Sequence, residues 1–524
     1  MSAFKPFRRA GAAMRGRNLL LVIVVLATAE RLWLAFAGGQ YFFWDENRFE
    51  QFYRFYQAAL AHDTATLGEL FARPDYPLYT CLGMVVVAGQ HALSRLFTPY
   101  GDWSLPQNPF LTSGIACSLL ALSSVVCIVL VYRLARAYGG DRTEATWAAA
   151  LLAASNSHLY YSRHLLPYDA ALACALGALL TGRQARSSLA LVSAGGLLGL
   201  SFSIYNGYWY LPLVLLIAVG FDCDRGRITA TRIGITAGGV LLGAGVPYAI
   251  GGMLTGIKFF HNVVQFAAAN KLAYFSTLRQ DPTTEQNLLS FQSVTIGLMA
   301  EGWSLPWEYL WHAEGFLGLG VVATIIVAVH DSRRNNEAIP FRFKHYSVAL
   351  VLSYLLLTIF SVILQIFSVN GRNVKPLVVF FALGGGWAMR RIATTKPLNF
   401  AFVVILLCAG SHSFLDHARR VFPTEVRQQL ARQGIVPQFL TSFADSFPWP
   451  QSTPTSRPDL ALLNAQTLFP TREYRGFPAG EVLFSLPHPL TYRPYQYEGA
   501  TPEERTNLRC LDIAMKLIRL APTQ

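Results

Sequence analysis

Charge is what this sequence has least of. Of its 524 residues only 14% are Asp, Glu, Lys or Arg, against 53% hydrophobic, and that balance excludes an ordinary soluble globular chain of this size. Paired cysteines are missing too. The seven cysteines are scattered, several inside apolar segments (Cys117, Cys127, Cys174, Cys408), with no CxxC and no Cys/His ligand spacing. Neither a disulfide framework nor a zinc site is indicated. There is no HExxH, and His158, His164, His261 and His312 stand isolated, so structural roles are expected of them and no metal ligand is assigned. No serine has a GxSxG context, and no internal repeat is evident. The apolar segments carry so little charge that an ion or proton pathway through them has little to build on.

What is present is a series of long apolar runs. The first, LLLVIVVLATAERLWLAF, follows Lys5, Arg8, Arg9, Arg15 and Arg17 and has no small-residue cleavage site, so it reads as a retained helix. The net charge of +13 is concentrated in short loops, at 133–142, 182–186, 222–227, 331–344 and 390–396. That is the positive-inside pattern of a membrane protein, not a groove for nucleic acid. If these loops share a side with the N-terminus, the number of crossings between them must be even. About eleven transmembrane helices satisfy this: 18–38, 110–133, 145–162, 169–182, 187–205, 208–221, 231–253, 312–330, 345–368, 375–389 and 397–415. The segment 78–97 is a marginal span that would invert every later loop, so it is read as a juxtamembrane or re-entrant helix.

The expected fold is therefore a polytopic α-helical membrane domain over 1–415, with two long outer loops at 39–109 and 254–311. The start of the second loop has the spacing of a helix lying in the membrane interface. A soluble outer α/β domain is expected over 416–524, with short strands at Leu460–Ala465 and Glu481–Ser485 and a helix over Glu503–Leu520. The expected location is the inner (plasma) membrane, multi-pass, with the C-terminal domain facing the periplasm or exterior.

This topology puts four polar clusters on the outer side: Asp45, Glu46 and Arg48; RPDYPLY, ending at Tyr79; YYSRHLLPYD, with Arg163, His164 and Asp169; and NGRNVKP, with Arg372 and Lys375. Asp45 or Glu46 can act as a general base on an acceptor hydroxyl, since adjacent carboxylates beside aromatics repel and desolvate one another. The alternative is an acidic first turn of a surface helix, favoured by the helix dipole. Arg163 and Asp169 can shape a site or form an interfacial ion pair. Arg372 and Lys375 can clamp a lipid-linked phosphate or anchor a helix end.

Taken in order, DENRF, Pro74–Tyr79, Tyr160–Asp169 and Arg372–Pro376 resemble the signature pieces of the GT-C superfamily of membrane glycosyltransferases. The likeness is to its protein O-mannosyltransferase and lipid A aminoarabinose transferase members, and it covers about residues 40–390. The resemblance implies inverting transfer of a sugar from a polyprenyl-phosphate donor to a glycan, lipid or protein acceptor on the periplasmic or exoplasmic side. Carried over, Asp45 is the catalytic carboxylate, Glu46 its helper, Arg48 and Asp169 shape the sugar pocket, and Arg372 meets the donor phosphate. Where the aminoarabinose transferases have Lys-Pro-Pro before Leu-Tyr, this chain has Asp75-Tyr76-Pro77, leaving Lys258, Lys271 or Lys375 as replacements for the missing cation. The chemistry needs no cofactor beyond the lipid-linked donor, and a divalent-metal requirement stays open. A transporter or flippase of lipid-linked sugars, or a non-catalytic assembly subunit, are the competing readings. Interrupted helices and charges within spans would mark the transporter, and neither is evident in the sequence.

Overall fold

The computed structural model describes residues 5–36, 45–72, 77–96, 109–222, 227–262, 264, 296–360, 371–392, 435–439, 455–464, 480–486 and 515–520. It is built mainly of helices: α1 Lys5–Phe36, α2 Asp45–Leu60, α3 Thr64–Phe71, α4 Pro77–Leu96, α5 Pro109–Ala137, α6 Arg142–Ala154, α7 Asn156–Ser162, α8 Tyr168–Gln184, α9 Ser188–Ile204, α10 Tyr210–Gly220, α11 Ala230–Thr255, α12 Ile296–Arg334, α13 Phe341–Leu355 and α14 Gly371–Ile392. The expected span at 397–415 lies outside the described residues.

Two described helices are long and apolar enough to cross a membrane, Gly114–Ala137 of α5 and Ala230–Thr255. The polarity of the bundle is inverted relative to a water-soluble core. Arg31, Glu144, His158, Arg163, Asp169 and Lys375 are buried, while Leu241 and Met253 of α11 are 72% and 85% exposed. Exposed apolar faces of this kind suit hydrocarbon as the solvent, and the buried charges demand partners inside the protein.

The other face of α11 packs on α9 through glycines. An added Cβ would lie 2.0 Å from the Thr236 carbonyl oxygen at Gly195, 2.4 Å from that of Val240 at Gly199, and 2.3 Å from that of Gly196 at Gly243. Only residues without side chains allow backbones this close, which is how membrane helices associate when burial from water supplies no driving force.

The basic loops meet at one end of the bundle. Arg342 donates to both carboxylate oxygens of the buried Glu144, at 2.8 and 2.9 Å. Arg390 pairs with Asp141, and Arg391 bridges Asp331 (2.8 Å) and Glu337 (2.6 Å). From this end α14 runs 22 residues, about 33 Å at 1.5 Å per residue, to Arg372 and Lys375.

Three expectations need correction. The helix predicted over 145–162 is interrupted at Ser155, whose extended backbone (φ −64°, ψ 127°) ends α6 and whose hydroxyl caps α7. The helix predicted from 312 begins at Ile296 and is kinked at Gly315 (φ 46°, ψ −126°), a conformation open to glycine and costly for other residues. The segment predicted as a helix over Glu503–Leu520 has Met515–Leu520 as a strand. That strand is central in a four-stranded sheet, antiparallel to both Thr455–Asn464 and Gly480–Leu486, with Ile435–Phe439 parallel to Thr455–Asn464 beyond it. Its backbone groups are satisfied by two distant neighbours, and that ladder overrides local helical pattern.

Candidate functional site

The chain turns from α7 into α8 through Arg163–Pro167. Pro167 precedes the first helical residue and leaves Asp169 in the first turn, where a carboxylate is favoured by the helix dipole. Lys375 lies in the first turns of α14. Its Nζ is 2.5 Å from Asp169 Oδ1, and both side chains are buried. The ammonium also lies 5.5 Å from the centre of the Tyr161 ring, and the Cys127 thiol donates to the Asp169 carbonyl at 3.4 Å. His158 Nδ1 stands 3.4 Å from the same Asp169 oxygen. That contact is long and misses hydrogen-bond geometry, so His158 flanks the pair without closing a triad.

Arg372 and Asn373 precede Lys375 on α14, and Arg163 lies in the turn before α8. Arg372 Nη1 donates to the Tyr168 hydroxyl at 3.2 Å. Asn373 ties the start of α14 to the corner before α10, its Nδ2 donating to the Gly207 carbonyl at 2.7 Å while its own carbonyl accepts from the Tyr210 hydroxyl at 2.6 Å. Arg163 is buried with its guanidinium 5.1 Å from the Tyr160 ring centre and Nε 3.3 Å from His164 Nε2. Tyr161, Tyr168, Tyr205 and Tyr208 form a chain of edge-on rings at 4.6–5.2 Å beside them.

The first two clusters are joined to the third by Tyr79. Its hydroxyl donates to the Leu165 carbonyl, and its ring meets Phe52 edge-on at 5.1 Å. Phe49, Phe52 and Phe55 form the buried stripe of α2, and Gly83 of α4 is placed so that an added Cβ would stand 2.4 Å from the Phe52 ring. Arg48 is half-buried on α2. The backbones of Asp45 and Glu46 open α2 one turn before Phe49; their side chains lie outside the described residues. The structure thus brings Tyr79, Asp169, Arg372 and Lys375 to one end of the bundle, with Arg163 in the connecting turn.

Three charged or titratable residues of this region were not singled out by sequence. Arg31 is fully buried on α1, with Nε donating to Ser124 Oγ (2.9 Å), Nη1 to the Ala27 carbonyl (3.2 Å) and Nη2 to the Ala153 carbonyl (3.3 Å). Glu314, beside the α12 kink, accepts from Ser155 Oγ, the Asn156 and Ser157 amides and Ser157 Oγ at 2.6–3.0 Å. His158, set aside as isolated, is in contact with the buried pair. The signal for the first two was legible: each is a charge inside an apolar run, expensive in a membrane unless partnered. Glu314 and Ser155 also line, with Leu151, Leu310, Val321 and Phe381, a mainly apolar groove of about 300 Å³. Among the described residues no three His, Cys, Asp or Glu side chains converge as a metal site would require.

No family model matches the chain, and no curated protein does. Solved structures similar to it include the archaeal oligosaccharyltransferase AglB from Archaeoglobus fulgidus in complex with an inhibitory peptide and a dolichol-phosphate. That likeness has 13% identity and a TM-score of 0.39 over 84% of this chain. The Archaeoglobus fulgidus oligosaccharyltransferase is also similar when tethered to an acceptor peptide and in its apo form, each at 14% identity and TM-score 0.38 over 84% of this chain. The chain spans 60–61% of the length of these proteins. At this identity and TM-score the likeness decides nothing about chemistry, which rests on the residues themselves.

Proposed function

We propose that the chain is a multi-pass membrane glycosyltransferase of the GT-C type that moves a sugar from a polyprenyl-phosphate donor to an acceptor on the outer side, with inversion. The observation that carries this reading is the tie from α2, whose first residues are Asp45 and Glu46, through Tyr79 to the turn before Asp169 and so to the start of α14. Asp45 takes the proton of the acceptor nucleophile as it attacks the anomeric carbon, with Glu46 beside it. The lipid phosphate leaves from the opposite face, its charge met by a preorganised cation. Lys375 is already paired with Asp169, which transfers that role to Arg372, with Arg48 and Arg163 contributing to the positive field. Asp45→Asn tests this in membranes supplied with a lipid-linked sugar: transfer is lost while expression and donor binding persist. Unchanged transfer refutes the assignment.

A second reading, movement of the lipid-linked sugar across the bilayer, is favoured by one observation. The α6–α7 helix is interrupted beside buried charges, as in transporters. Redistribution of a labelled donor between the leaflets of vesicles holding the Asp45→Asn protein separates the two, since a transporter keeps that activity.

A further inference from the structure

We propose that Arg31 and Glu314, reaching in from α1 and α12, are a matched pair of positioning residues that hold the two ends of the interrupted α6–α7 helix and thereby fix the α7–α8 segment carrying His158, Arg163 and Asp169. An interrupted helix leaves carbonyls at the end of one half and amides at the start of the other without intrahelical partners, and in a bilayer no water replaces them. Here the two halves are met by opposite charges. Arg31 Nη2 donates to the Ala153 carbonyl near the end of α6, where the helix dipole is negative. The Glu314 carboxylate accepts both the Asn156 and Ser157 amides at the start of α7, where it is positive, and the Ser155 and Ser157 hydroxyls complete its shell.

Each residue ties the interruption to another helix. Arg31 is fastened to α5 through Ser124 and to its own helix through Ala27. Glu314 immediately precedes Gly315, where α12 changes direction, so the placement of α7 depends on the angle of that kink. One turn into α7, His158 meets the Asp169 carboxylate, and the Asp169 carbonyl rests on the Cys127 thiol. A shift of α7 is therefore felt at the buried pair. Only the catalytic consequence rests on the glycosyltransferase reading.

Cys127 supplies a readout independent of activity. In full-length protein with every other cysteine changed to serine, the rate of labelling of this buried thiol by a membrane-permeant maleimide reports opening of the α5–α8 contact. Glu314→Gln and Arg31→Gln are expected to speed labelling by about tenfold or more, and Glu314→Asp to return most of the protection. Ser157→Ala, which removes one of four donors, is a milder variant should the others fail to fold, with an intermediate rate expected. Arg54→Met, which breaks an exposed ion pair with Glu69 between α2 and α3, is the control and should leave the rate near wild type. Wild-type labelling in Glu314→Gln, or in Ser157→Ala should Glu314→Gln not fold, overturns the proposal, as does equal acceleration by Arg54→Met. If labelling responds as expected while the wild-type protein transfers no sugar from a lipid-linked donor, the positioning role stands and the glycosyltransferase reading falls.

Discussion

The Asp169–Lys375 pair invites a full double-mutant cycle. At 2.5 Å, with both side chains buried, the Coulomb attraction at an effective dielectric of 20 is about 6–7 kcal/mol, and desolvation of the two ions offsets most of it. The net worth of the pair against an apolar replacement is therefore small. Removing one partner is different, because the charge left behind keeps its desolvation penalty and loses its compensation. Lys375→Met strands the Asp169 carboxylate, and Asp169→Leu strands an ammonium in a bundle that also holds the buried Arg31. Each single change should cost about 3–5 kcal/mol. The double variant, apolar at both positions and of similar volume, should fall within about 2 kcal/mol of wild type. Reversible unfolding in mixed micelles measures all four corners, and the expected coupling is about 3 kcal/mol or more. If the single costs simply add, to within about 0.5 kcal/mol, the two charges are not compensating one another and the site's geometry is wrong.

Other expectations follow from the packing and from the caps. Gly199→Leu or Gly243→Leu would drive a side chain into the facing backbone, with a Cβ contact of 2.4 or 2.3 Å. A loss of about 3 kcal/mol or more is expected, read in the same unfolding assay, and a neutral result would mean that α9 and α11 are not this close. Tyr79→Phe removes a donor from the buried Leu165 carbonyl and should cost about 1–3 kcal/mol, with faster amide exchange in the 163–166 turn than in α8. Asp63 caps α3 by accepting from the Ala65 and Thr66 amides and the Thr66 hydroxyl, and the Thr66 hydrogen bonds hold its carboxyl below the usual range. A depressed carboxyl stabilises above its unfolded pKa and stops doing so as pH falls through its folded one. Amide protection of Thr64–Phe71 should accordingly be steady at neutral pH and decline in acid below about pH 4. Asp63→Ala should abolish that acid dependence.

Much of the fold was legible because apolar length and basic loops are local, one-dimensional signals. The helices Ala230–Thr255 and Ser188–Ile204 fall within a residue or two of the predicted 231–253 and 187–205, since their ends are set by where apolar composition stops. The interruption at Ser155 was missed. ALLAASNSHLYY breaks its apolar run with Ser155-Asn156-Ser157-His158, residues that suit a helix cap, but no proline or glycine marks the point where the helix ends. What ends it is a capping hydroxyl together with partners from α1 and α12, more than a hundred residues distant in each case. Met515–Leu520 failed for a related reason, since its partners lie in two other strands.

The sequence by itself determined the class of solvent this chain prefers, the succession of helices, the clustering of positive charge in connecting loops, and which residue types stand where chemistry could occur. It did so because transfer of apolar side chains and exclusion of charge act residue by residue. Only the tertiary structure decided that Asp169 meets Lys375, that Tyr79 reaches the turn before α8, and that Arg31 and Glu314 secure a broken helix. Each of those depends on two segments distant in sequence reaching hydrogen-bond distance, and a buried charge finds its partner only after the bundle has excluded water.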